Sequence, residues 1–262
     1  MTSHSDPNTL SPARSQTSGS RRQLLRSTLA LGAVVSLAML GSAACGLIST
    51  NILDKTFELS PQKFGLDFGT TTGKVPSVAC TVAGDPKCAT LASQVSAAGG
   101  TATGTCDTVA KVCGADITVT KSYPVTLSNE PSFAQTVGGK AISIVKAIEL
   151  NYGASNQSTV NLPDMNLYIG PDTAKSPTDK DVYLIDKIPA IAKGTVIPDK
   201  SRKIVVQAGS PAFERFSYYL QNPKVPFLLL ISGKPSVKAG DDLPSGKVDV
   251  TITPAFTVGL PL

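Results

Sequence analysis

The chain has 262 residues, with 24 basic and 19 acidic side chains, five cysteines, one histidine and no tryptophan. The basic excess lies mostly in residues 1–44, which carry four arginines and one aspartate; the other 218 residues hold 20 basic and 18 acidic groups. The whole-chain excess is therefore no evidence for nucleic-acid binding, and no nucleic-acid partner is expected. His4, the single histidine, falls in the same segment, so the rest of the chain has no imidazole to activate a serine or cysteine nucleophile.

Residues 2–20 are polar and rich in Ser, Thr and Pro, the composition of a disordered extension. Ser20-Arg21-Arg22-Gln23-Leu24-Leu25-Arg26 follows, and from Ser27 to Leu53 there is no charged residue. The apolar part, Leu29 to Leu40, is shorter than the roughly 20 residues a spanning helix needs. It ends in Gly41-Ser42-Ala43-Ala44 before Cys45. Arginines on its N-terminal side keep that end in the cytoplasm, so the segment reads as a cleavable export signal. Arg21 and Arg22, in Ser-Arg-Arg-x-Leu-Leu-Arg, resemble the bacterial twin-arginine signal; an ordinary secretory signal fits the same residues. Leu40 to Gly46 resembles the bacterial lipobox, with Ser42 where an aliphatic residue is usual. The resemblance implies removal of residues 1–44, a lipid on Cys45, and anchorage of the exported chain to a bacterial membrane in the cell envelope. Residues 45–56 would then tether lipid to domain.

Residues 57–114 should hold N-terminal strands and a cysteine-containing insertion. Phe57, Leu59, Phe64, Leu66 and Phe68 alternate as one or two strands broken at Pro61. Residues 73–114 have no sustained apolar pattern and contain Cys80, Cys88, Cys106 and Cys113. In an exported protein four such cysteines are expected to form two disulfides. Of three connectivities, the local pairs Cys80–Cys88 and Cys106–Cys113 are expected, since each closes a small loop early. Structural zinc uses cysteines two to four residues apart, and these gaps are wider.

Residues 115–262 read as a β-sandwich domain. Ile117, Val119, Val125 and Leu127 suggest a strand pair around Tyr123-Pro124. Ile142, Ile144, Ile148, Leu150 and Tyr152 suggest one long strand interrupted at Lys146. Val160 to Ile169 changes phase at Pro163, as a chain bending between sheets would. Val182–Ile185, Ile204–Gln207, Phe227–Ser232 and Val248–Val258 are further strands. Phe227-Leu228-Leu229-Leu230-Ile231 is continuous enough to be buried on both faces or to line an apolar cavity. One helix should start at Ser210-Pro211, bury Phe213, Phe216, Tyr219 and Leu220, leave Tyr218 outside, and stop at Asn222-Pro223. A second short helix fits after Phe133, limited by Gly138-Gly139.

The expected fold is all-β, a two-sheet sandwich with one or two short helices and a disulfide-containing insertion. Residues 141–262 resemble the Ig-like sandwiches of the late-embryogenesis-abundant type, which implies the same fold class. No cofactor, metal or catalytic residue is predicted. Asp172, Asp179, Asp181, Asp241 and Asp242 lie in turns whose spacing matches no calcium loop. Asn156-Gln157-Ser158 matches a glycosylation sequon, uninformative beside a bacterial-type signal. The expected function is non-catalytic: a lipid-anchored binding or structural sandwich, its partner another envelope protein or an apolar ligand. The alternatives are a carrier of an apolar ligand or lipid between the sheets and a histidine-free enzyme built on carboxylates.

Overall fold

A computed structural model describes residues 52–96 and 100–262. Cys45, Arg21 and Arg22 lie outside the described residues. The fold is all-β: two antiparallel sheets packed face to face, with three short helices among the described residues.

The first sheet is built on β11 (Lys247–Pro261), the longest strand. Its alternation Val248, Val250, Ile252, Phe256, Val258, Leu260 sends one face into the core. β1 (Ile52–Glu58) and β2 (Gln62–Asp67) lie end to end along one edge of β11, while β5 (Ile144–Asn156) and then β8 (Val196–Val205) lie on the other. Thus the alternating N-terminal segment is two strands broken at Pro61, as expected. Pro254 of β11 faces that break. An antiparallel residue points its N–H and C=O to the same side. The Pro254 carbonyl accepts from Leu59 N at 2.8 Å, so the N–H that proline lacks falls where the edge partner has already turned away.

In β5 the interruption at Lys146 is a register shift: Ala147 pairs with Thr257 but Val145 with Val258. The extra residue reverses the phase of the strand. Val145 is therefore buried and Ile144 exposed, opposite to a reading that runs the alternation straight through. β8 is longer than Ile204–Gln207 suggests, because an edge strand rich in Lys and carrying Pro198 shows no alternation.

The second sheet has the order β10 (Ser236–Lys238), β4 (Val112–Val125), β9 (Phe227–Gly233), β6 (Met165–Pro171), β7 (Tyr183–Ile188), with β3 (Thr101–Asp107) on the outer edge of β4. The chain changes sheets between β5 and β6, around Pro163. Asn156 closes that crossing. Its carboxamide is fully buried, donates to the carbonyls of Val160 and Ile191 (3.0 Å each), and accepts from the Ser158 N–H (3.1 Å) and hydroxyl (2.7 Å). The apparent sequon is thus a structural network with no free amide.

Helix α3 (Pro211–Gln221) starts where Ser210 accepts from Phe213 N at 3.2 Å, with proline in its first turn. Phe213, Phe216, Tyr219 and Leu220 are buried and Tyr218 is exposed, as the spacing requires. Its aromatic face joins the sheets: Phe256 of β11 lies 5.8 Å from Phe216, and Phe216 lies 6.0 Å from Phe227 of β9. Tyr219 stacks on Phe227 at 4.8 Å. α2 (Pro131–Val137) ends at Gly138 in the left-handed region and sets Phe133 edge-on against Phe57.

α1 (Pro86–Val95), like β3, forms in the segment without a sustained apolar pattern. Cys88, Leu91, Ala92 and Val95 are its buried residues, an i, i+3, i+4, i+7 pattern that emerges once cysteine is counted as apolar. Asp85 caps it, accepting from Lys87 N at 3.0 Å. α1 packs on the β3–β4 hairpin, and this packing decides the disulfides.

The bonds are Cys80–Cys106 and Cys88–Cys113, which corrects the expected Cys80–Cys88 and Cys106–Cys113. Cys106 and Cys113 do stand directly opposite in the β3–β4 register. Opposed Cβ atoms are typically about 4.5–5.5 Å apart, wider than the roughly 3.8 Å a disulfide prefers. Cys80 reaches the hairpin through its N–H to Lys111 O (3.1 Å), and Cys88 through the buried face of α1. Each therefore finds a hairpin sulfur: Cys88–Cys113 binds α1 to β4 and Cys80–Cys106 binds the segment before α1 to β3, instead of closing local loops. The expected seam between residues 114 and 115 falls inside β4.

Candidate functional site: a hydroxyl-lined groove on the second sheet

β9 is buried on both faces, and the two sides differ in kind. Phe227, Leu229 and Ile231 enter the core, whereas Leu228 and Leu230 point outward under the β6–β7 connection. Ala174 of that connection is buried against them, with Tyr168 and Val182 packed alongside. Residues 172–182 thus form a strap across the outside of the sheet. Gly170 makes room for it, since a Cβ there would stand 2.8 Å from Val182 Cγ2. Asp179 holds its shape, accepting from the backbone N–H of Lys175 (2.7 Å) and Ser176 (3.0 Å). Those two N–H groups, Lys175 first, hold its carboxyl below the ordinary value.

Where the strap ends, the outward positions of the sheet turn polar. Thr120 of β4 pairs with Ser232 of β9, and Ser232 with Asn166 of β6, so three polar side chains form one row across three strands. The Thr120 and Ser232 hydroxyls share a hydrogen bond of 3.1 Å. Between this row and the strap lies a groove of about 570 Å³. Thr118 and Tyr168 extend its floor, and Ser176 and Thr178 face it from the strap, their hydroxyls 2.9 Å apart. Lys234 and Asp164 bring one charge of each sign, and Asp164 already accepts from Ala190 N at 3.0 Å. Sites for small ligands commonly occupy about 300–1,000 Å³.

The groove gathers residues that sequence reading did not single out: Thr118, Thr120, Asn166 and Ser232. Their signal was the polar half of an alternation whose apolar half, Ile117 and Val119, was used to find the strand. In β9, Ser232 is the polar residue that follows the apolar run.

The five turn aspartates are not brought together. Asp172, Asp179 and Asp181 belong to the strap between β6 and β7, whereas Asp241 and Asp242 lie in the turn after β10. Asp241 accepts from Lys238 N at 2.8 Å, and Asp242 pairs with Lys74 at 2.6 Å. These two line a smaller charged depression of about 210 Å³ with Lys74 and Lys193. The sulfurs of Cys80, Cys88 and Cys106 lie within 4.8 Å of one another because the two disulfides are adjacent. On α3, the Arg215 guanidinium lies 5.5 Å from the Tyr218 ring centre and 5.2 Å from that of Tyr219. Burial raises the Tyr219 phenol above its ordinary value.

Fold and site together define an all-β two-sheet sandwich with a polar groove on one outer face. No family model matches the chain, and no curated protein matches it. Solved structures that match include one titled Desmodium yellow mottle tymovirus, at 8% identity over 93% of this chain and 98% of that one, with a TM-score of 0.25. Another is a cryo-EM structure of Mud Crab Dicistrovirus, at 12% identity over 98% of this chain and 89% of that one, with a TM-score of 0.26. At these scores neither bears on the function of this chain.

Proposed function

We propose that this is an exported cell-envelope protein, anchored through a lipid on Cys45, whose sandwich is a non-catalytic binding module with the strap groove as its binding surface. The observation that carries the reading is the groove itself: a polar recess of about 570 Å³ held between three paired strands and a strap with its own hydrogen bonds. The anchor rests on the sequence from Leu40 to Gly46 and on an odd cysteine in a chain whose other four are paired. Packing argues against the apolar carrier, because Phe256, Phe216 and Phe227 occupy the space between the sheets where its ligand would lie. The carboxylate enzyme has little support, since two facing acids are the minimum for such chemistry and these aspartates divide between the β6–β7 strap and the turn after β10.

Mass spectrometry of the protein purified from bacterial membranes tests the anchor. An N-terminal peptide beginning at an acylated Cys45 is expected, and C45A should release the chain from the membrane fraction. An unmodified Cys45, or a mature chain starting elsewhere, would overturn the anchor.

A further inference from the structure

We infer that the groove takes a neutral, polyhydroxylated ligand, a short oligosaccharide segment. This rests on the reading of the groove as the binding surface and adds the chemistry of what it binds.

Four properties of the lining lead there. Its polar groups are mainly hydroxyls: Thr118, Thr120 and Ser232 on the sheet, Ser176 and Thr178 on the strap. A hydroxyl both donates and accepts and rotates to suit its partner, so a wall of them matches a ligand whose own groups are hydroxyls. An anion would find a single lysine, and an apolar chain would leave the polar row without water or partners. Second, Lys234 and Asp164 cancel in charge, and Asp164 has one oxygen committed to the Ala190 N–H. Third, Thr120, Ser232 and Asn166 stand on adjacent strands, which are spaced about 4.8 Å apart. That interval is close to the length of one sugar ring, so successive hydroxyls along a saccharide can meet successive strands. Fourth, Tyr168 adds an aromatic ring beside the row, backed by the buried Leu228 and Leu230. An aromatic body next to polar partners suits the apolar C–H face of a pyranose.

The site is also ordered before any ligand arrives. Thr120 and Ser232 fix each other, Ser176 and Thr178 do the same, and Asp179 ties down the backbone beneath them. Groups already held in place lose less entropy on binding.

The test uses the processed, exported chain. Cello-, xylo-, malto- and chito-oligosaccharides of three to six units are the neutral probes; oligogalacturonate and a fatty acid are the charged and apolar controls. Binding is measured by calorimetry and, without any mutation, by backbone amide shifts at residues 118–120, 166–168, 176, 178 and 232–234. At least one neutral oligosaccharide should bind and move those amides. T120V, S232A and N166A should each weaken it about three- to tenfold, the effect of losing one uncharged hydrogen bond, and D242N should not. Thermal unfolding of each variant checks that it is folded, and the amide map stands alone if one is not. A neutral saccharide that binds without moving these amides overturns the site. Binding of the charged or apolar probe alone, with these amides moving, overturns the ligand class and keeps the binding module. No binding by any probe overturns both.

Discussion

The two disulfides carry the most decisive prediction, because the structure and the local reading of the sequence differ on which cysteines are joined. Cys80–Cys106 and Cys88–Cys113 span 26 and 25 residues. By the chain-entropy model, loops of this size stabilise the fold by about 3.5 kcal/mol each, against about 2.5 for the loops of local pairs. The loops overlap between residues 88 and 106, so the second bond closes a chain the first has already shortened. Removing one pair should therefore cost about 3 kcal/mol and removing the remaining one about 3.5. C88A/C113A and C80A/C106A are the variants, alanine being preferred because Cys88 and Cys113 are buried. Urea unfolding should give the loss as a lower midpoint with a steeper slope, since the freed unfolded chain exposes more surface. Connectivity is read from non-reduced peptides. Trypsin alone is insufficient, because Cys88 and Cys106 share the peptide between Lys87 and Lys111. A second cut by chymotrypsin at Leu91 separates them. A fragment joining Cys80 to Cys88, or a loss under about 1 kcal/mol in either double variant, would refute the reasoning that α1 is bonded onto the hairpin.

Replacing Asn156 by alanine orphans the Ser158 N–H and opens a buried space, for an expected loss of about 2–4 kcal/mol by urea unfolding. N156D should cost more at neutral pH, since its carboxylate would face the Val160 and Ile191 carbonyls; equal stability of the two variants would count against the network. G104A places a Cβ 2.2 Å from the Cys88 carbonyl oxygen. α1 must then lift from the hairpin, at a cost of about 1–3 kcal/mol and slower oxidative folding by thiol quenching. Acid should loosen the strap first. Asp179 is held below its ordinary value of 3.8 by two backbone N–H groups, and Asp107 likewise by those of Ala110 and Val109. Groups depressed in the folded state contribute stability that is present above the unfolded value and lost as pH falls through the folded one. Hydrogen-exchange protection at Lys175, Ser176, Val109 and Ala110 should therefore fall below about pH 3.8 while the core strands stay protected. D179N should remove the pH dependence in the strap alone. F216A, which empties the aromatic bridge between the sheets, should cost about 3–5 kcal/mol.

Much of the scaffold was legible because its signals are local. Val248 to Val258 alternates without interruption, so β11 could be read residue by residue. Ser210-Pro211 and Asn222-Pro223 bracket α3 with a cap and a stop, and its four buried residues follow from helical spacing. Pro61 and Pro163 marked where a strand breaks and where the chain changes sheets. Where the alternation was counted through an irregularity it failed. The Lys146 bulge exchanged the environments of Ile144 and Val145, because one extra residue turns the side chains on its far side to the other face. β8 was shortened because an edge strand has no reason to alternate, and α1 was lost because its first apolar position is a cysteine.

The sequence by itself determined the sandwich class, the aromatic helix, the presence of two disulfides in the segment after β2, and the candidate lipid site at Cys45. Only the tertiary structure decided which cysteines are bonded and where a ligand can lie. A disulfide depends on which Cβ atoms meet once α1 packs on the hairpin. The groove depends on Thr120, Ser232 and Asn166 being neighbours across three strands, although they are 46 or more residues apart in the chain. Periodicity reports which face a residue is on; it carries no information about which distant residue shares that face.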